Sequence, residues 1–187
     1  MNIDVAALST IESRMAWEYI LFDIETDGLN PKVIHMISMT DLVTMEQKSY
    51  VGMDEVCRAI QVLDEARMVC GHAIKYFDCA VITTMTEGII QFPASKTIDT
   101  LELSKSLAKE MKSHGLKAWG EVLDYPKLTQ PDFDAGFTDE WIPYCERDVD
   151  LNVKVFLILL ERLLTQYRED NLPQRWSALS NYLAVAA

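Results

Sequence analysis

The chain has 187 residues, 49% of them hydrophobic and 25% charged, with a formal net charge of −12. That length allows one well-cored domain with at most a small appendage. The acidity excludes gripping nucleic acid through a broad basic surface, so any such role needs metal ions and a local basic rim to offset the repulsion of phosphates.

Cys57, Cys70, Cys79 and Cys145 are irregularly spaced with no C-x-x-C, which suggests neither a zinc knuckle nor a disulfide framework and fits reduced thiols in a cytoplasmic setting. No apolar run approaches a membrane span, and the first residues lack a charged-then-apolar signal pattern.

In chain order, residues 1–17 are weakly patterned and read as a short helix or an ordered tail. A first strand runs from Glu18 to Ile24, a second from Val33 to Met39 and a third from Lys48 to Val51, with short connections that favour an antiparallel meander. Val56, Ile60 and Leu63 then recur at helical spacing behind a cap at Asp54. Met68 to Cys70 is a brief apolar strand ending at Gly71-His72, and a helix follows from about Phe77 to Glu87, stopped by Gly88. Thr97 to Thr100 reads as a final strand leading into a helix over 101–110, and Leu116, Trp119 and Val122 mark a further short helix. Tyr125 to Gly136 is a loop. The longest helix spans about Asp139 to Arg168, with Val149, Val153, Phe156, Leu160 and Leu163 as its apolar stripe and Pro143 kinking or restarting its first turn. After Asn171-Leu172-Pro173, Trp176, Leu179, Leu183 and Ala186 outline a small amphipathic helix with an open apolar face. Strands first, then alternating strand and helix, predict an α/β fold: a mixed sheet with helices on both faces.

Four acids and a phenol carry the chemistry. Asp23 and Glu25 alternate with Phe22 and Ile24, so they share one side of the first strand. Adjacent carboxylates on an apolar strand repel each other and lose hydration, which a divalent cation between them would relieve, although a strand end with a wet polar face has the same pattern. Asp78 opens a helix, where capping is the ordinary role of an acid. Tyr144 and Asp148 lie four apart on the longest helix and so share a face, either as a buttress or as a polar site. A three-layer fold can gather these acids at one end of the sheet. Without histidine or cysteine ligands, such a set favours Mg2+ or Mn2+ over zinc, and two such ions about 4 Å apart can activate a water and stabilise a departing oxygen at phosphorus.

Three ordered stretches, Phe22 to Thr26, Gly71 to Asp78 and Tyr144 to Asp148, resemble the exonuclease motifs of the DnaQ-like, or DEDD, 3′→5′ exonucleases. Tyr144 and Asp148 resemble the tyrosine branch, DEDDy, because the histidine branch would want His where this chain has Pro143. Thr97 to Ser104 and His114 to Gly120 are similar to the proofreading domain of phage-type family A DNA polymerases. The likeness covers roughly residues 18–165. It implies an RNase H-like fold and two-metal hydrolysis that releases nucleoside monophosphates from a 3′ end. It also implies that Asp23, Glu25 and Asp148 hold a first metal ion, that Asp23 bridges to a second, that Asp78 acts through metal-bound water, and that Tyr144 orients the attacking water. Thr26, Gly28 and Leu29 would line the terminal nucleotide, with Leu29 wedged beside a base. The second motif often has Asn after its His, and here Ala73 stands there, so that contact to the substrate backbone is either missing or supplied by His72 or Lys75. Lys112 and Lys117 are candidates for strand contacts and His114 for a phosphate, each against the plainer role of a solvated residue.

These readings divide the chain into an exonuclease domain over residues 1–170 and a tail over 171–187 that docks on a polymerase or continues as a linker. The expected substrate is DNA with single-stranded 3′ ends, in replication or repair. Two alternatives stand beside it: a nuclease acting on RNA 3′ ends, and a catalytically silent module that binds DNA or a polymerase.

Overall fold

The computed structural model describes residues 17–166. Five strands form one mixed sheet: β1 (Tyr19–Thr26), β2 (Ile34–Asp41), β3 (Gln47–Val51), β4 (Met68–Gly71) and β5 (Thr97–Asp99). Their order is β3-β2-β1-β4-β5, with β1, β2 and β3 antiparallel and with β4 and β5 parallel to β1. The expected meander is therefore present, and the later strands join its other edge through helical crossovers. The helices are α1 (Met53–Glu65), α2 (Asp78–Met85), α3 (Thr100–Leu107), α4 (Leu116–Val122) and α5 (Trp141–Gln166).

Alternation along β1 divides the core. Ile20, Phe22 and Ile24 pack with Val56, Ala59 and Leu63 of α1 and with Val81 and Ile82 of α2. Tyr19 and Leu21 face the other way, against Val149, Val153, Phe156, Leu160 and Leu163, the predicted stripe of α5. A second side of α5, Leu151, Val155 and Leu159, buries Trp119 of α4. The sheet is thus sandwiched between helical layers, an RNase H-like three-layer α/β fold. Asp23 and Glu25 continue the odd-numbered series, which directs them toward the α5 layer.

Several boundaries differ from the sequence reading. Gly52, at φ +82, occupies the N-cap position of α1, while Asp54 lies in its first turn beside the positive end of the helix dipole. The second helix stops at Met85, because Glu87 and Gly88 both turn to positive φ. α3 ends at Leu107, three residues before the predicted 110. Val122 is exposed rather than part of a core stripe. α5 runs unbroken through Pro143, whose missing N–H falls in the first turn, where no helical partner exists. The tail over 171–187, and residues 1–16 at the other end, lie outside the described residues.

Candidate active site

The site begins where β1 and β4 part. Their pairing runs only from Tyr19↔Met68 to Leu21↔Cys70, so beyond Leu21 that side of β1 has no strand partner. Asp78 fills the gap, its Oδ1 accepting a hydrogen bond from the Ile24 N–H at 3.1 Å. Asp78 is the first residue of α2, the N-cap position belongs to Phe77, and no side chain caps that helix. The capping role weighed for Asp78 is therefore not the one it plays: its carboxylate reaches across 54 residues to the main chain between Asp23 and Glu25. Gly71, just before this gap, has no room for a side chain, since a Cβ there would lie 2.7 Å from the Phe22 carbonyl oxygen and 2.0 Å from Ile74 Cγ2.

From the α5 layer come Tyr144, Cys145 and Asp148, all buried. The Cys145 thiol points at Asp23, with Sγ 3.7 Å from Oδ2 and 3.8 Å from the main-chain oxygen. Ligand atoms of Asp23, Glu25 and Cys145 lie within 4.8 Å of one another. Asp148 Oδ2 is 2.6 Å from Lys127 Nζ, and its Oδ1 is buried without a hydrogen-bond partner. Lys127 also stands 5.1 Å from the centre of the Tyr144 ring. The Tyr144 ring is met edge-on by Phe133, which in turn packs on Trp141.

Crowding of acids sets the electrostatics. Burial, then repulsion from Asp148, pushes the Asp23 carboxyl up to about 7. Burial, then Asp23 and Asp148, pushes Glu25 up to about 8. Asp78 is raised well above the carboxylate range by burial and by Asp23. Burial also raises Asp148, although Lys127 opposes it. Tyr144 is raised by burial and by Asp148, so it remains a neutral phenol near pH 7. These acids want positive charge, and Lys127, the one lysine paired with them among the described residues, does not supply enough. A hard divalent cation fits this oxygen-rich set, and the orphaned Asp148 oxygen is an acceptor suited to it. Cys145, at hydrogen-bonding range of Asp23, keeps its proton because burial raises its thiol well above the ordinary value.

The other expected contacts scatter. Thr26 Oγ1 donates to the Gly28 carbonyl at 2.9 Å, Gly28 takes φ +138, and Leu29 projects into solvent at 87% exposure. With Pro31, Tyr76, Phe77, Val81 and Met85, Leu29 borders a groove whose lining includes none of the four acids. His72 Nδ1 lies 3.0 Å from Thr100 Oγ1, which contacts Asn152 Oδ1 at 2.8 Å, one helical turn beyond Asp148. Burial lowers His72 to about 4, leaving it neutral. The Lys75 ammonium is paired with Glu102. His114 Nδ1 lies 2.8 Å from Ser104 Oγ, which also accepts from Trp119 Nε1. Lys112 and Lys117 are exposed on either side of that histidine. Ala73 adopts φ +62, a conformation that suits Asn or Gly, and its N–H donates to Asp99.

Sequence reasoning missed Lys127 and the thiol contact of Cys145. A lone lysine in a proline-containing loop carries no periodicity, so no signal in the sequence pointed to it.

No family model matches the chain, and no curated protein does. Solved structures do match. Brucella melitensis NrnC with bound Mg2+ is similar at 20% identity, with a TM-score of 0.59 over 90% of this chain and 83% of that one. The same protein bound to pGG gives 20% identity and a TM-score of 0.62 over the same shares. A structure described as the apo form of a nuclease gives 18% identity and a TM-score of 0.62, covering 94% of this chain and 86% of that one. At this level of identity the likeness establishes the fold, and this chain has the fold of those proteins.

Proposed function

We propose that this chain is a divalent-metal-dependent 3′→5′ exonuclease that hydrolyses DNA from its 3′ end and releases nucleoside 5′-monophosphates. The observation that carries the reading is that Asp23 and Glu25 lie together on β1, Asp78 of α2 bonds the amide between them, and Asp148 of α5 is near enough to raise the proton affinity of both, with Tyr144 beside Asp148. The DnaQ-like motifs and the fold shared with NrnC, which holds Mg2+ in one structure and pGG in another, support it.

Asp23, Glu25 and Asp148 would hold divalent ions, Mg2+ or Mn2+, with Asp78 assisting through water. Bound there, the ions supply Lewis acidity that lowers the pKa of a water and offsets charge on the phosphate. The protein does the rest. Tyr144, neutral at working pH, orients the attacking water through its hydroxyl. Asp78 holds the main chain between the two β1 acids, and the Cys145 thiol holds the Asp23 carboxylate. The groove bordered by Leu29 and Phe77 takes the terminal nucleotide, and Leu29 packs beside its base. Water adds to phosphorus, the bond to the preceding O3′ breaks, and that oxygen leaves as a hydroxyl.

The finer placement is a proofreading or repair role beside a DNA polymerase, motivated by the likeness of residues 97–104 and 114–120 to phage polymerase domains. RNA ends are a second reading, favoured by the pGG bound to a structurally similar protein. One experiment separates them: 5′-labelled and 3′-labelled single-stranded DNA and matched RNA, from short to long, with Mg2+ or Mn2+ and with the Asp23→Asn variant as control. Stepwise shortening of 5′-labelled DNA, lost in the variant, is the expected result. Faster loss of RNA moves the assignment to the second reading. No metal-dependent cleavage of either polymer leaves a binding module.

A further inference from the structure

Lys127 is an uncommon neighbour for a metal site, because its ammonium already occupies the position of a cation. Nζ lies 2.6 Å from Asp148 Oδ2 and over the Tyr144 ring, and its charge lowers the pKa of both Asp23 and Glu25. The segment that carries it is fastened at both ends. Upstream, the Tyr125 N–H donates to Gly120 at 2.8 Å, the Tyr125 hydroxyl bonds Asp150, and Arg147 and Lys154 stand over its ring at 4.0 and 4.7 Å. Gly120 lets that approach happen, since a Cβ there would fall 2.9 Å from the Tyr125 carbonyl oxygen. Downstream, Phe133 and Phe137 pack on Trp141, and Phe137 stacks on His35 of β2 at 5.3 Å. A surface lysine wanders over many rotamers, whereas this one is delivered by an anchored loop to a carboxylate whose other oxygen has no partner.

We infer that Lys127 is a tethered counter-ion, which holds the acid cluster together in the metal-free protein and competes with the divalent ion for Asp148. The inference rests on the metal-dependent reading above. A divalent ion on Oδ1 and an ammonium on Oδ2 of the same carboxylate repel each other, so metal entry weakens the hold of Lys127 on Asp148. Its loop position then leaves it beside the cluster, available to a phosphate oxygen. The competition makes the metal-free protein more stable and the metal weaker-bound than the acids alone would dictate.

Mn2+ binding to the whole chain, followed by electron paramagnetic resonance of the free ion, tests this together with thermal unfolding in EDTA. Lys127→Met keeps the aliphatic stem and removes the charge. It is expected to bind Mn2+ about tenfold tighter and to unfold several degrees lower without metal, whereas Lys127→Arg stays within about threefold of the parent. If Lys127→Met does not fold in EDTA, Lys127→Gln gives the same comparison with a hydrogen-bonding side chain. Equal or weaker Mn2+ binding by the neutral variants, with the parent binding Mn2+, overturns the counter-ion role and leaves the nuclease reading standing. Absence of Mn2+ binding by every form overturns both.

Discussion

Asp99 and Asp148 are nearly equally buried, at 2% and 5% exposure, and both stand where a strand layer meets a helix, yet their surroundings are opposite. Asp99 caps α3 and is encircled by main-chain donors: Oδ1 accepts from the N–H groups of Ala73, Leu101 and Glu102, and Oδ2 from that of Lys75. Asp148 has one lysine on one oxygen and nothing on the other. An acid that builds a fold is surrounded by donors the fold itself supplies. Asp148 is left short of them, and the protein carries the cost of that burial in the raised proton affinity of its neighbours.

Substitutions that keep shape and remove charge break this contrast most sharply. Asp23→Asn or Asp148→Asn is expected to lower the proposed nuclease turnover by roughly three orders of magnitude or more, with the thermal midpoint in EDTA unchanged or raised for Asp23→Asn and modestly lowered for Asp148→Asn, which loses its pairing with Lys127. Asp99→Ala does the reverse in kind. It strands several buried N–H groups and is expected to cost about 3 kcal/mol in urea unfolding, far more than Asp148→Asn.

The pH dependence should also divide the two regions. The folded-state values of Asp23 and Glu25 rise from 3.8 and 4.5 to about 7 and about 8. Between those limits the folded protein retains protons that the unfolded chain has released, so metal-free stability is highest near the acid end and falls as pH climbs toward 8. Thermal midpoints in EDTA from about pH 5 to 8 are expected to decline, Asp23→Asn to flatten the slope, and saturating Mn2+ to reverse it. A slope unchanged in Asp23→Asn would locate the titration elsewhere.

The smallest effect concerns the loop that Asp99 organises. Ala73 holds φ +62 to give its N–H to that acid, so Ala73→Asn is expected to stabilise the protein by about 0.5–1 kcal/mol in urea melts.

The pairing of Asp23 with Glu25 and of Tyr144 with Asp148 was legible because they lie on regular elements, where a period of two on β1 and of about four on α5 fixes which side chains share a face, whereas Asp78 at a helix start was joined to them only by the motif likeness. The layered order was legible for the same reason, through the apolar stripe on α5 and the alternation on β1. What escaped was carried by irregular backbone. Gly52 rather than Asp54 caps α1 because a positive φ brings the chain into the helix there, and no residue pattern states that. Lys127 depends on where a loop of non-repeating residues is pinned, by Tyr125 to α5 and by Phe137 to His35, and those partners lie far off in the sequence. The left-handed turn at Ala73 gives a physical sense to the missing Asn: that position needs an unusual backbone shape, whatever it touches.

The hydrogen bond from Ile24 to Asp78 ties the backbone of β1 to a side chain that also borders the acid cluster. Any ligand that draws on the Asp78 carboxylate therefore pulls on the bond to that strand amide, so loading the pocket would change the protection of the strand between its two acids. The deuterium uptake of that one amide is a built-in gauge of occupancy, legible without substrate and without turnover.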